Sequence, residues 1–345
     1  MKSIAGRLHA QGLDAPRFET AAEVVRHLGG VQSQLHDLAL WAVGRRTTGL
    51  TLADLQVAFD RGDFLRTHVL RPTWHFVDPA DIGWLLALTG PRIDRLIRTG
   101  NAAIGVTDDH LERGAETIVA ALAGSEPLMR SELAKHLAEA GLPHRGQALA
   151  HIVMHAEIGA LIANGPMRGK QHTYVRLTAP PVSLSRDEQL AAAAVRYGRG
   201  HGPFRAKDLA WWTSLTLTDS RRAIRLAGLA TMRVGDEEYA YVDAPVERDA
   251  PPVMLLPNYD EYISFARDPA DFEAFAGTAV DIMRGAGLLM VDGRLAGLWA
   301  RSFAGDTVAI QITTSFRLTR RLRAAIDDEA ARFGAFVGCT PTVTV

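Results

Sequence analysis

One plan recurs three times along this chain, as an order of elements rather than as repeated letters. It is clearest between His110 and Thr178. LERGAETIVAALAG reads as a helix that stops at Gly124, PLMRSELAKHLAEAG as a second stopped by Gly141, and GQALAHIVMHAEIGALIANG as a third. In the third, Leu149, Ile152, Val153, Ala156 and Leu161 fall on one apolar face. PMRGKQHTYVRLT then offers a Gly-Lys turn and an alternating, β-prone second arm, the pattern of a hairpin. Three helices followed by a basic hairpin is the winged-helix plan, a relative of the helix-turn-helix.

The plan returns from Ser185. Ser185 and Glu188 have capping-box spacing before DEQLAAAAVRYG, FRAKDLAWWTSL is a second helix, and Thr216 and Asp219 open LTDSRRAIRLAG. The hairpin ATMRVGDEEYAYV follows. The first copy is looser. Thr20 and Glu23 open a short helix to Gly29, QLHDLALWAVGRR is a second, and Thr51 and Asp54 open TLADLQVAFDRG. Its wing would be FLRTHVLRPTWHFV. Beyond Pro251 the text changes: PPVMLLPNYDEYISF holds prolines and a short apolar run, GLLMVDGRLAGLWARSF and DTVAIQITTSF read as strands, and LTRRLRAAIDDEAARFGAFVG reads as a helix. The expected fold is α+β: tandem winged helices over residues 1–105, 106–180 and 185–249, then a mixed α/β subdomain over 250–345 that caps the third copy.

A chain of 345 residues, 47% hydrophobic and 22% charged, has material for several cores and no need of disorder. Its single cysteine, Cys339, excludes an internal disulfide and a Cys-based zinc finger, and fits a reducing cytoplasm. MKSIAGRLHAQGL lacks the apolar run of a signal peptide, and no stretch of about 18 apolar residues suggests a membrane span. The formal charge of −1 hides an asymmetry. Asp187 to Arg233 carries eight Arg or Lys against four Asp or Glu, whereas Asp236 to Glu273 carries two against eleven. One region is suited to a polyanion and the other repels it.

Winged helices hold duplex DNA with the third helix in the major groove and the wing near phosphates. By that rule Gln147, His151 and His155 share the polar side of a third helix, Arg168 and Lys170 sit at a wing turn, and Arg221, Arg222 and Arg225 crowd another third helix. His151 and His155 have i, i+4 spacing, but Ile152 stands where HExxH needs glutamate and no third ligand is near, so no metal is expected. Asp260 and Glu261 fall in the most acidic segment, away from the expected DNA surface, which favours a turn-anchoring role. No P-loop, strand-linked GxGxxG or GxSxG is present, so neither a nucleotide cofactor nor a serine hydrolase is supported.

The stretch GGVQSQLHDLALW remains. Glutamine does not titrate near neutral pH, yet Gln32 and Gln34 lie one residue apart after a Gly-Gly pair. In an extended stretch that spacing aims both amides the same way. An amide holds a water with its oxygen while its NH₂ donates elsewhere. That is enough where the leaving group is already activated.

Gln32-Ser33-Gln34, the RPTWHFV of 71–77, the LLPNYDEY of 255–262 and the VDGRLAGLW of 291–299 occur in one order, and with them the chain resembles the bacterial winged-helix DNA glycosylases of the AlkZ and YcaQ type over nearly its whole length. The resemblance implies tandem winged helices around double-stranded DNA, removal of bulky N7-alkylated purines and unhooking of interstrand crosslinks. It implies Gln32 and Gln34 as the catalytic motif, in the Gln-x-Gln form of the AlkZ branch. Ser33 departs from the usual aliphatic middle residue. The resemblance further suggests Arg71, Trp74 and His75 as groove-probing residues, though Trp74 is equally placed to be core of the wing. No cofactor, no metal and no membrane partner are implied; a cytoplasmic monomer is expected. Two other readings stay open: a winged-helix transcription regulator, which would bind DNA without base release, and a protein-interaction scaffold without DNA affinity.

Overall fold

Local stop and start signals set most of the helices in the computed structural model, which describes residues 2–124, 126–246, 248–265, 281–282 and 284–345. After α1 (Lys2–Ala10), α2 (Ala21–Leu28) is opened by a Thr20/Glu23 capping box and closed at Gly29, whose φ of 75° suits a residue without Cβ. The two-residue strand β1 (Val31–Gln32), α3 (His36–Gly44), α4 (Leu52–Arg61, boxed by Thr51 and Asp54) and the hairpin β2 (Leu65–His68) and β3 (Trp74–Val77) complete a first series. A long helix absent from the sequence reading, α5 (Ile82–Arg98), carries Pro91 inside it and leads to the next series.

The second series is α6 (Asp108–Ala121), β4 (Leu128–Met129), α7 (Arg130–Glu139), α8 (Gly146–Ile158), β5 (Ile162–Arg168) and β6 (Gln171–Arg176). The third is α9 (Arg186–His201), a lone bridge from Phe204 to Ala240, α10 (Ala206–Thr213), α11 (Leu217–Leu226), β7 (Ala230–Val234) and β8 (Glu237–Tyr241). The order helix, short extended segment, two helices and hairpin thus occurs three times. One boundary differs from expectation. The helix α8 stops at Ile158, and Ile162 to Asn164 are strand, paired with β6; Leu161 is exposed rather than on an apolar helical face. Sheet pairing overrides the helical pattern there.

The first two hairpins are not free. The first two series fuse into one six-stranded sheet, ordered β1-β3-β2-β5-β6-β4, joined where Arg66 pairs with Asn164. A second, five-stranded sheet holds β9 (Val253–Leu256), β10 (Gly287–Val291), β11 (Arg294–Ala304), β12 (Thr307–Thr314) and β13 (Thr340–Thr344) in the order β13-β12-β11-β10-β9. Helix α12 (Arg320–Val337) crosses between the parallel pair β12 and β13, and β13 was not foreseen.

The placement of this sheet corrects the expected cap on the third copy. Its strands and α12 share one core with α2, α3 and α4. Trp41 is the joint: its ring lies 5.2 Å from Phe333 and 5.1 Å from Phe336, and its Nε1 donates to Leu255 O at 2.7 Å. The segment after β9 reaches the third series, where Tyr197 Oη donates to Ser264 O at 2.8 Å. The end of the acidic stretch, residues 266–273, lies outside the described residues. No helix among the described residues is long and apolar enough to cross a membrane.

Candidate functional site

The strand β1 is short because it has one partner and one purpose. Val31 pairs with Phe76 and Gln32 with His75, and Ser33 N donates to Trp74 O at 2.7 Å. Just upstream, a Cβ on Gly30 would stand 2.9 Å from Leu70 Cδ1, so any larger residue there would have to displace the Leu70 side chain. Extended geometry then sorts the side chains. Val31 and Ser33 are buried, Gln32 is half-buried, and Gln34 is exposed at the start of α3. Gln34 lies beyond the end of β1, in the bend that leads into α3.

Ser33 is gripped through its main chain. Its carbonyl accepts from Arg66 Nε at 3.1 Å and Nη2 at 3.0 Å, and the Arg66 guanidinium lies 4.5 Å over the Trp74 ring. Burial pulls the Arg66 pKa down to about 10, still protonated at neutral pH. The Ser33 hydroxyl, by contrast, is buried without a hydrogen-bond partner among the described residues. An unpaired buried hydroxyl costs about 1–3 kcal/mol. Ser33→Ala is therefore expected to keep or raise the thermal midpoint; a clear loss of stability in a calorimetric melt would show that the hydroxyl is paired.

Gln32 is held at two points. Its backbone N–H donates to Glu261 Oε1 at 2.9 Å, and its side-chain Oε1 accepts from Arg71 Nη2 at 3.0 Å. Arg71 is fixed in turn: Nη1 donates to Trp212 O at 3.0 Å, and its guanidinium lies 4.5 Å from the Trp211 ring centre. Glu261 Oε2 accepts from His201 Nε2 at 3.0 Å and from Trp212 Nε1 at 3.2 Å. Three distant parts of the chain thus meet under the motif: β1 with its hairpin, α9 with α10, and the turn after β9.

Burial alone would raise the Glu261 pKa, but the hydrogen bond and charge of His201, with Arg71 beside it, outweigh burial and hold it at about 2. The folded state gains from the ionised carboxylate above its ordinary value of 4.5 and loses that gain as pH falls toward about 2. Unfolding followed from pH 6 downward should show an acid-side loss of stability that Glu261→Gln largely removes. An unchanged slope in the variant would assign the acid sensitivity elsewhere.

The residues expected to touch DNA are scattered. His75 is 0% exposed and Arg71 only 7%, so neither probes a groove. The reason is topological: β3 is flanked by β1 and β2, and the β2–β3 turn lies against α10. His75 is kept neutral, with its pKa pushed down to about 3 by burial first and by Arg71 second. Trp74 is half-buried, and its Nε1 donates to Glu157 Oε1 at 3.3 Å. Arg168 is exposed at the β5–β6 turn but bonded to Glu132 (2.9 Å) and to Pro127 O (2.6 Å). Lys170 and Arg221 are exposed; Arg222, also exposed, pairs with Asp187 at 2.7 Å. His151 faces Asn101 at 2.6 Å and His155 faces Asp94 at 3.0 Å, so the polar side of α8 is turned to α5 and its C-terminal loop. Among the described residues no group of three His, Cys, Asp or Glu is placed to hold a metal.

Sequence reasoning gave Glu261 a structural role away from the expected DNA surface; it did not foresee that this carboxylate lies against Gln32. His201, Trp211 and Trp212 were not singled out at all. One signal was available. A charge pair inside VMLLPNYDEYIS, an otherwise apolar stretch, demands buried partners. Asp260 does anchor the turn, accepting from Tyr262 N at 2.8 Å.

A family model described as DNA glycosylase AlkZ-like matches residues 25–336. Among solved structures, the chain is similar to Streptomyces sahachiroi DNA glycosylase AlkZ, with a TM-score of 0.75 and 20% identity over 99% of this chain and 98% of that one. That is a likeness of fold. A comparison with curated proteins finds no match.

Proposed function

The chain belongs to the AlkZ-like DNA glycosylase family, and from that premise we propose that it hydrolyses the N-glycosidic bond of N7-alkylated purines in duplex DNA, with a water positioned by Gln32 and Gln34. The observation that carries this reading is the Gln32 amide, half-buried at the end of β1 and braced by Arg71, with the exposed Gln34 two residues on. We read the three recurrent series, residues 1–105, 106–180 and 185–249, as winged helices, with 250–345 as a mixed subdomain. The exposed basic residues Arg168, Lys170, Arg221 and Arg222 are then the proposed phosphate contacts.

The chemistry asks little of these side chains. Alkylation at N7 makes the purine cationic. Breaking the C1′–N9 bond returns the electron pair to the base, which leaves neutral and needs no strong general acid. Water adds to C1′ as the sugar takes on oxocarbenium character, and its proton passes to solvent. Placing that water supplies several kcal/mol, and oriented amide dipoles add electrostatic stabilisation. Full extrusion into a closed pocket is not open to a crosslinked base. An exposed Gln34 suits bulky adducts and interstrand crosslinks, which we include among the substrates.

The test is base release from a duplex bearing a single N7-alkylguanine, with alkaline cleavage of any abasic site, and the same assay on a crosslinked duplex. Cleavage only after alkali supports a monofunctional glycosylase. Binding without release from either substrate would transfer the reading to a DNA-binding regulator.

A further inference from the structure

Arg71 settles which end of the Gln32 amide faces the substrate. A guanidinium has five N–H donors and no acceptor, so the Gln32 atom 3.0 Å from Arg71 Nη2 has to be the carbonyl oxygen. The NH₂ group therefore points the other way. It makes no hydrogen bond among the described residues and is not among their buried unpartnered polar atoms, so it is open to solvent. Arg71 cannot swing to release it, being fixed by Trp212 O and stacked on Trp211. Glu261 fixes the same residue by its backbone N–H. Gln34 has no such brace: it is exposed and makes no hydrogen bond among the described residues, so its amide presents either end.

Resting on the glycosylase reading, and narrowing its placement of the water from both glutamines to Gln34, we infer that the two divide the work. Gln32 acts as a hydrogen-bond donor only and grips a non-bridging phosphate oxygen beside the lesion, while Gln34 accepts from and holds the water. Three acceptors lie near C1′ in such a complex. Donation to the water's oxygen withdraws density from the nucleophile. Donation to O4′ opposes the positive charge that O4′ shares in the transition state. A phosphate oxygen is anionic, forms a charge-assisted bond, and fixes the strand's register without opposing the chemistry. Arg71 and Glu261 are then positioning residues that act through Gln32.

The decisive variant is Gln32→Glu, which keeps the size and the Arg71 contact but removes the donor. It should release N7-methylguanine in single turnovers about a hundredfold more slowly than wild type, as should Gln32→Ala; the thermal midpoint of Gln32→Glu, which keeps the Arg71 contact, should match wild type. Arg71→Met should cost about tenfold, and Arg71→Lys should recover most of that. With neutral methylphosphonates flanking the lesion, wild type should slow to the Gln32→Ala rate, whereas Gln32→Ala should slow no further. A Gln32→Glu enzyme as fast as wild type overturns the donor assignment. Equal slowing of wild type and Gln32→Ala by the methylphosphonate overturns the phosphate contact. A wild type that releases no base from any alkylated duplex overturns the glycosylase reading itself, and this inference with it.

Discussion

Gln34→Ala is expected to lower single-turnover base release by about a hundredfold to a thousandfold, the usual cost of one preorganised polar contact to a transition state. Lesion-duplex affinity should stay within a few-fold, because the residue holds water rather than DNA. Gln34 is exposed and makes no hydrogen bond among the described residues, so truncation should move stability by no more than about 0.5 kcal/mol. That combination separates chemistry from folding: rate falls, while melting and binding do not. Single-turnover kinetics beside an equilibrium titration read both. Normal excision by the variant would remove Gln34 from the mechanism, and a parallel loss of affinity would recast it as a DNA contact.

Much of the secondary structure was legible because its signals are local. Thr20 with Glu23, Thr51 with Asp54 and Ser185 with Glu188 form the capping boxes their spacing announces, and hairpins follow the Gly turns. The extended stretch at Gln32 was legible too, since its Gly-Gly entry is local. Its supports were not. Gln32 and Glu261 are 229 positions apart, and Arg71 meets Trp212 across 141. No period or cap encodes such pairings. Two-residue strands such as β1 and β4 exist only because a hairpin from elsewhere pairs with them. Fusion of the two hairpins into one sheet is a pairing between series, and it is what buries His75 and turns the expected groove probe inward.

The four stretches that gave the resemblance gain a physical meaning from this. Gln32, Arg71 and Glu261 come from three of them and touch. The fourth holds the third in place: Tyr262 Oη donates to Gly293 O at 2.9 Å, and Trp299 Nε1 donates to Leu256 O at 2.8 Å. The segment after β9 therefore carries Glu261 as part of a fixed frame.

Asp260→Ala should be the most destabilising change in that frame, by about 3–5 kcal/mol. Arg46 and Asp260 are both fully buried, and the guanidinium is bidentate, with Nη1 at 2.9 Å from Oδ2 and Nη2 at 2.7 Å from Oδ1. Arg46 also donates to the Ala42 and Gln11 carbonyls, and Gln11 Nε2 donates to Glu261 O at 2.8 Å. Removing the carboxylate strands a buried cation; removing Arg46 strands a buried anion. Arg46→Met combined with Asp260→Leu removes both charges and should recover part of the loss, since a buried pair is costly to break yet not costly to replace as a unit. Urea unfolding of the singles and the double measures this. Base release should fall with Asp260→Ala, because Glu261 is the next residue and the Gln32 backbone hangs from it. A single variant as stable as wild type would mean that water reaches the pair, and that Glu261 is held by His201 and Trp212 alone.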